Sequence, residues 1–81
     1  MFDLVLVCDE EKIFEGKIKE INVLTPKGPV SILPQHQPYM SKILKTLNYI
    51  TTDGIKKTLE IEEGFLYTNG KSCFAVVDKN S

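Results

Sequence analysis

At 81 residues, 42% of them hydrophobic, the chain has material for one small core and no second domain. Ten basic and eleven acidic residues leave a net charge of −1, without the clustered basic excess that nucleic-acid binding requires, so nucleic acid is excluded as an expected partner. A chain this short buries only about 60–65% of its unfolded surface, so modest stability and reliance on a partner are expected.

Phe2, Leu4 and Leu6 alternate with Asp3, Val5 and Val7, a period-two pattern apolar on one face and mostly apolar on the other. This predicts a strand near the centre of a sheet. Asp9 to Lys12 reads as a charged turn, Ile13 to Gly16 as a short extended piece, and Lys17 to Leu24 as another strand. Ile18 and Ile21 are three residues apart, out of phase for one face of a strand; a β-bulge that absorbs one residue restores the phase and is preferred to their facing opposite sides. Asp9, Glu10 and Glu11 follow the short apolar opening at once, so neither a secretory leader nor a membrane span is expected and the protein is read as intracellular.

Thr25-Pro26-Lys27-Gly28 is a turn by composition. The next stretch, Gly28 to Pro38, holds three of the four prolines and the only histidine. Proline fixes φ and removes a backbone donor, so this segment is expected to be a rigid shaped loop with one apolar rung, Ile32 and Leu33. In the following run Met40, Ile43, Leu44 and Leu47 fit a helical face. Strand or irregular structure is nonetheless predicted from Tyr39 to Leu44, because Pro38 precedes the run and no N-cap side chain stands in place. Asp53-Gly54 separates Leu47–Thr52 from Ile55–Glu62, and Asn69-Gly70 separates Phe65–Thr68 from Lys71–Asp78, both dipeptides suiting hairpin turns. The last strand, with Cys73, Ala75 and Val77 opposing Phe74 and Val76, is almost wholly apolar and reads as buried on both faces. Many short strands without a convincing helix predict an all-β domain, a small antiparallel two-sheet sandwich or a barrel, spanning residues 1–81.

No constellation of catalytic residues stands out. Gly64 to Ser72 ends like a phosphate-binding loop, but five residues separate its glycines where the motif has four, and a hairpin explains it better. His36 has no nucleophile or acid placed beside it by local sequence, so a turn or interface role is preferred. Cys8 and Cys73 lack metal-ligand spacing and read as buried free thiols, and the carboxylates read as solvated charges. No catalytic, cofactor or metal site is expected.

Taken in order, these features resemble the amino-terminal β-sandwich domain of the epsilon subunit of the bacterial rotary ATP synthase. The resemblance rests on Phe2-Asp3-Leu4-Val5-Leu6-Val7, on Phe14-Glu15-Gly16 leading into Ile18–Val23, on Gly28, and on Ile32-Leu33-Pro34 with His36 and Pro38. Late in the chain it rests on Glu63-Gly64-Phe65-Leu66 and Phe74–Asp78. It implies a non-catalytic rotor part on the central stalk, with one face against the gamma subunit and one end against the polar loops of the membrane c ring. The site would be peripheral to the inner or plasma membrane on its cytoplasmic side, with no direct lipid insertion.

By position, the resemblance implies a ring-facing loop at Lys27, Gly28, Pro29, Val30 and Ser31. It implies gamma-facing or loop-anchoring roles for Cys8, Pro34, His36, Pro38, Tyr39, Met40 and Ser41. Val5, Val7, Tyr39 and Met40 are candidates for partner contact, with core packing the preferred reading of each. Family members usually carry Gly-His-Ala-Pro where this chain has Gln35-His36-Gln37-Pro38. Many also continue into a helical hairpin that restrains ATP hydrolysis, whereas this sequence stops at Ser81, so that hairpin and that route of inhibition are not expected. The competing reading is a free-standing sandwich that binds a peptide or small ligand beside His36.

Overall fold

The computed structural model describes residues 1–79, with six strands and no helix among them. The end of the chain at Ser81, on which the expected lack of a hairpin rests, lies outside the described residues. The strands are β1 (Phe2–Cys8), β2 (Glu11–Thr25), β3 (Gly28–Ile32), β4 (Tyr39–Thr51), β5 (Lys56–Thr68) and β6 (Ser72–Asp78). They pair in the order β1-β6-β5-β4-β2-β3, and β1 also pairs with β2, so the sheet closes into a flattened barrel.

The all-β architecture agrees with the sequence, but the strands are longer than expected. β2, β4 and β5 run 15, 13 and 13 residues, joining the pieces that the sequence pattern divides at Gly16, Leu44 and Glu62. The physical reason is that each long strand serves two layers. The first half of β2 pairs with β1, and its second half with β4 and β3. Tyr39–Leu44 of β4 pairs with the half of β5 that also meets β6, whereas Thr46–Ile50 pairs with Lys56–Glu60. One layer is therefore β2-β1-β6-β5-β4 and the other β3-β2-β4-β5.

The strands change layers where the register slips, between Ile18 and Glu20 on β2 and between Leu44 and Thr46 on β4. An unpaired residue bends a strand and raises its twist, which turns a corner without ending the ladder. The slip at Lys19 is the bulge that the isoleucine spacing predicted, and Ile18 and Ile21 are both fully buried. With them, Leu4, Leu6, Ile32, Ile43, Leu47 and Leu66 fill the space between the layers. Cys8 and Cys73 are free and buried.

Two further expectations are corrected. The β1–β6 pairing is parallel, and the rest are antiparallel. A parallel neighbour needs a long crossover, and here all the chain between the two strands serves as one. The stretch from Gly28 to Pro38 is not a single loop, because Gly28–Ile32 forms β3, an edge strand paired only with β2. Pro29 is tolerated there because an edge strand has no second ladder to complete. The loop proper is Leu33–Pro38; Ile32 is buried while Leu33 is exposed, so the expected two-residue rung is a single residue.

Candidate partner-binding face

The proline loop is held by its own turn and by the β5–β6 connection. The His36 amide donates to the Leu33 carbonyl at 3.2 Å, with Pro34 second in the turn and Gln35 third at φ 65°. This is the residue order of a type II turn, whose third position requires positive φ. The Gln35 amide donates to the Gly70 carbonyl at 3.0 Å, so the loop is clasped from the side. His36 Nδ1 donates to the Gln37 carbonyl at 2.7 Å, and its ring meets Tyr39 edge-on with centroids 5.7 Å apart. Tyr39 in turn packs against the core, while Pro34, Pro38 and Met40 are exposed. Ser41 Oγ donates to the Lys42 carbonyl at 2.9 Å.

The predicted residues divide into separate groups. His36, Tyr39, Met40 and Ser41 lie together at the start of β4. Cys8 does not join them: it pairs with Val77, four residues, or about 13 Å, further along the layer than Leu4, whose row includes Tyr39. Burial first, and the Asp9 carboxylate beside it second, push the Cys8 thiol above its ordinary value. The Lys27–Ser31 segment is a turn residue followed by strand. Thr25 Oγ1 accepts from the Lys27 amide at 3.1 Å and donates to the Gly28 carbonyl at 2.8 Å, which fixes the β2–β3 turn. Val30 packs against the core, and Ser31 Oγ donates to Asn22 Oδ1 at 2.6 Å.

A contiguous apolar surface is one that the sequence reading named only in part, at Val5, Val7 and Met40. On the outer side of the first layer, Val5, Phe74, Tyr67 and Met40 form a straight row across β1, β6, β5 and β4, and Val7, Val76, Phe65 and Lys42 form the next. Met40 is 68% exposed, Phe65 61%, Tyr67 and Phe74 45% each, and Val76 40%. Of the four partner candidates, Val5, Val7 and Met40 belong to this face, which corrects the core reading for Met40 outright; Val5 and Val7 are half-buried there, and Tyr39 turns inward. The opposite layer presents a polar row instead. Ser31, Asn22, Asn48 and Thr58 align across all four of its strands, and Asn22 Nδ2 donates to Asn48 Oδ1 at 2.9 Å.

Among the concavities formed by the described residues, two flank these faces. One of about 340 Å³ is lined by Thr25, Pro26, Lys27, Tyr39, Met40, Ser41 and Lys42, and one of about 190 Å³ by Asn22, Val23, Leu24, Pro29, Thr46 and Asn48. His36 lines neither. Among the described residues no group of three or more His, Cys, Asp or Glu side chains is placed to hold a metal ion.

Residues 1–80 match the family model described as ATP synthase, Delta/Epsilon chain, beta-sandwich domain. The chain belongs to that family. Among relatives of this delta/epsilon sandwich, the ATP synthase epsilon chain of Ruminococcus albus is 29% identical over 77 residues, covering 95% of this chain and 58% of the relative. The epsilon chain of Corynebacterium urealyticum is 27% identical over 75 residues, covering 90% of this chain and 60% of the relative. The sandwich thus spans less than two thirds of the length of those relatives.

Solved structures show the same fold. A chain of the Euglena gracilis mitochondrial ATP synthase, in an OSCP/F1/c-ring assembly, superposes with a TM-score of 0.83 at 20% identity, covering 96% of this chain and 49% of that one. A chain of the Tetrahymena thermophila mitochondrial ATP synthase central stalk and c-ring gives 0.79 at 14% identity, covering 96% and 63%.

Proposed function

We propose that this domain is a non-catalytic rotor part of a proton-translocating ATP synthase, joining the gamma subunit to the c ring and supporting the coupling of proton flow to ATP synthesis. Family membership supports the complex; the observation that carries the finer reading is the two-row apolar face. A monomeric soluble domain rarely leaves so contiguous an apolar surface uncovered, and an apolar centre ringed by polar residues is the anatomy of a protein interface. Here the ring is Asp3, Glu15, Lys17, Lys42, Glu63 and Asp78. The gamma subunit would cover the rows, and the segment Lys27–Ser31 would face the polar loops of the ring. The body suits torque transmission because three strands are shared between the layers, so neither layer can shear without breaking a continuous backbone.

No helix among the described residues is long and apolar enough to cross a membrane. The reading places the domain at the periphery of the inner or plasma membrane, on its cytoplasmic side, within the complex. The direct test is to mix the protein with purified gamma subunit at micromolar concentration on a sizing column. Co-migration is expected, as for an interface burying on the order of 1,200–2,000 Å² in total; separate elution counts against the adaptor.

A further inference from the structure

The β5–β6 connection carries a chemistry that the apolar face does not use. Asn69 is exposed and Gly70 follows it, and an asparagine so placed can lose its side-chain amide without an enzyme. The Gly70 amide nitrogen, its proton lost to water, attacks Asn69 Cγ; that bond forms, the Cγ–Nδ2 bond breaks, and ammonia leaves behind a five-membered succinimide. Glycine favours the step because no β-carbon stands beside the attacking nitrogen. Water then opens the ring at either carbonyl, giving aspartate or isoaspartate. Asn22 and Asn48 lie inside β2 and β4, where Val23 and Tyr49 follow them and crowd the same approach.

The fold engages both reacting groups elsewhere. The Gly70 amide donates to Thr68 Oγ1 at 3.2 Å, and Asn69 Oδ1 accepts from the amides of Lys71 and Ser72 at 2.9 Å each. Thr68 is fully buried and its hydroxyl donates to the Ser72 carbonyl at 3.1 Å, which fixes the turn to the core. Cyclisation therefore waits on local opening of the turn. That turn also holds the proline loop, because the Gly70 carbonyl accepts from the Gln35 amide at 3.0 Å.

The two products act differently on this clasp. Aspartate keeps the side-chain oxygen that the two amides bind. Isoaspartate routes the main chain through Cβ and Cγ, which turns that oxygen into a main-chain carbonyl and adds one backbone atom ahead of Gly70. The turn has no room to absorb the shift, since even a β-carbon on Gly70 would fall 2.7 Å from the His36 carbonyl oxygen.

We infer that Asn69-Gly70 is a site of spontaneous isoaspartate formation, guarded by the closed turn, and that isoaspartate there releases the proline loop. Loss of ammonia is irreversible in water, so released molecules accumulate with each productive opening. The inference does not depend on any partner.

The test incubates wild type and Thr68→Val in mildly alkaline buffer, each folded and each unfolded in guanidinium chloride. Peptide mapping by mass spectrometry reads the loss of ammonia at Asn69, and labelling by an isoaspartate methyltransferase tells isoaspartate from aspartate. Conversion at Asn69 should lead Asn22 and Asn48 and run at least about tenfold slower in folded than in unfolded wild type. Thr68→Val, which replaces the hydroxyl by a methyl of similar size, should speed the folded reaction about fivefold or more. In the purified isoaspartate fraction the Gln35 amide should exchange its hydrogen at least about tenfold faster than in unmodified protein, whereas Asn69→Asp should leave that exchange unaltered. Equal rates in folded and unfolded wild type overturn the guard, and unaltered Gln35 exchange in the isoaspartate fraction overturns the release. Absence of isoaspartate at Asn69 even in the unfolded chain overturns the site itself. Should Thr68→Val fail to fold, the folded-to-unfolded ratio of wild type decides.

Discussion

The amide of Gln35 donates a 3.0 Å hydrogen bond to the carbonyl of Gly70, tying the proline loop to the β5–β6 connection. Gln35 accepts a left-handed backbone, φ 65°, to make it. That conformation costs a residue with a β-carbon about 1–2 kcal/mol, and the resembled family usually carries glycine there. Gln35→Gly should therefore raise stability by up to about 1 kcal/mol, and Gln35→Val should lower it by about 1–2 kcal/mol, measured by urea denaturation. Gly70 reports on the same clasp. It sits at φ 94°, and a β-carbon on it would fall 2.7 Å from the His36 carbonyl oxygen. Gly70→Ala should cost about 2 kcal/mol and displace the His36 resonances in NMR spectra.

Gly64 tests how closely the two central strands of the apolar layer approach. A β-carbon there would lie 2.3 Å from the Val76 carbonyl oxygen and 2.8 Å from the Val77 Cα, both backbone atoms that cannot step aside. Its φ is not positive, so the constraint is steric alone. Gly64→Ala should destabilise the domain by about 3 kcal/mol. Gly54→Ala, at φ 87° but facing open space, should cost about 1 kcal/mol in the same denaturation series.

Burial pushes the Cys73 thiol up to about 12 from an ordinary value of 9.0. Below about pH 9 both folded and unfolded chains hold the proton, so Cys73 adds no pH dependence. Above that the unfolded chain loses a proton that the fold retains, and stability falls by up to about 1.4 kcal/mol per pH unit until the folded thiol also titrates. Urea midpoints from pH 8 to 10.5 should fall more steeply for wild type than for Cys73→Ala, and the difference between the two slopes isolates this thiol from the lysines and tyrosines that also titrate there.

The fold was legible in the sequence where a local rule decides it. The Ile18–Ile21 spacing announced the bulge at Lys19, and Gly54 and Gly70 take the positive φ that their turns demand. The joining of strands at Leu44 and Glu62 was not legible, because a strand that changes layers keeps its backbone ladder while its side-chain alternation resets; Gly16 simply continues the alternation into Ile18, and the reset on β2 comes at Lys19. The two-residue turn at Asp9-Glu10, with φ 50° and 70°, was placed by its charge rather than by the Asn-Gly or Asp-Gly pair that usually marks such a conformation.

The apolar face was hidden for a related reason. Phe74 and Val76 alternate with Cys73, Ala75 and Val77, and a strand apolar on both sides reads as buried on both sides. Sequence alone does not separate a face covered by its own chain from one covered by another. The signal that could have found it is the use of all six described strands in closing the barrel, which leaves none of them to pack across the outer side of this layer.

That uncovered side carries the central claim. Replacing Phe65 and Phe74 together by serine removes the two most prominent rings of the adjacent rows without touching the buried residues of β5 and β6, so the thermal midpoint should stay within a few degrees of wild type. Titrated with purified gamma subunit, the double variant should bind at least about a hundredfold more weakly, as expected when central aromatic anchors are lost. Unaltered affinity in a folded double variant would contradict the assignment of this face to the gamma subunit.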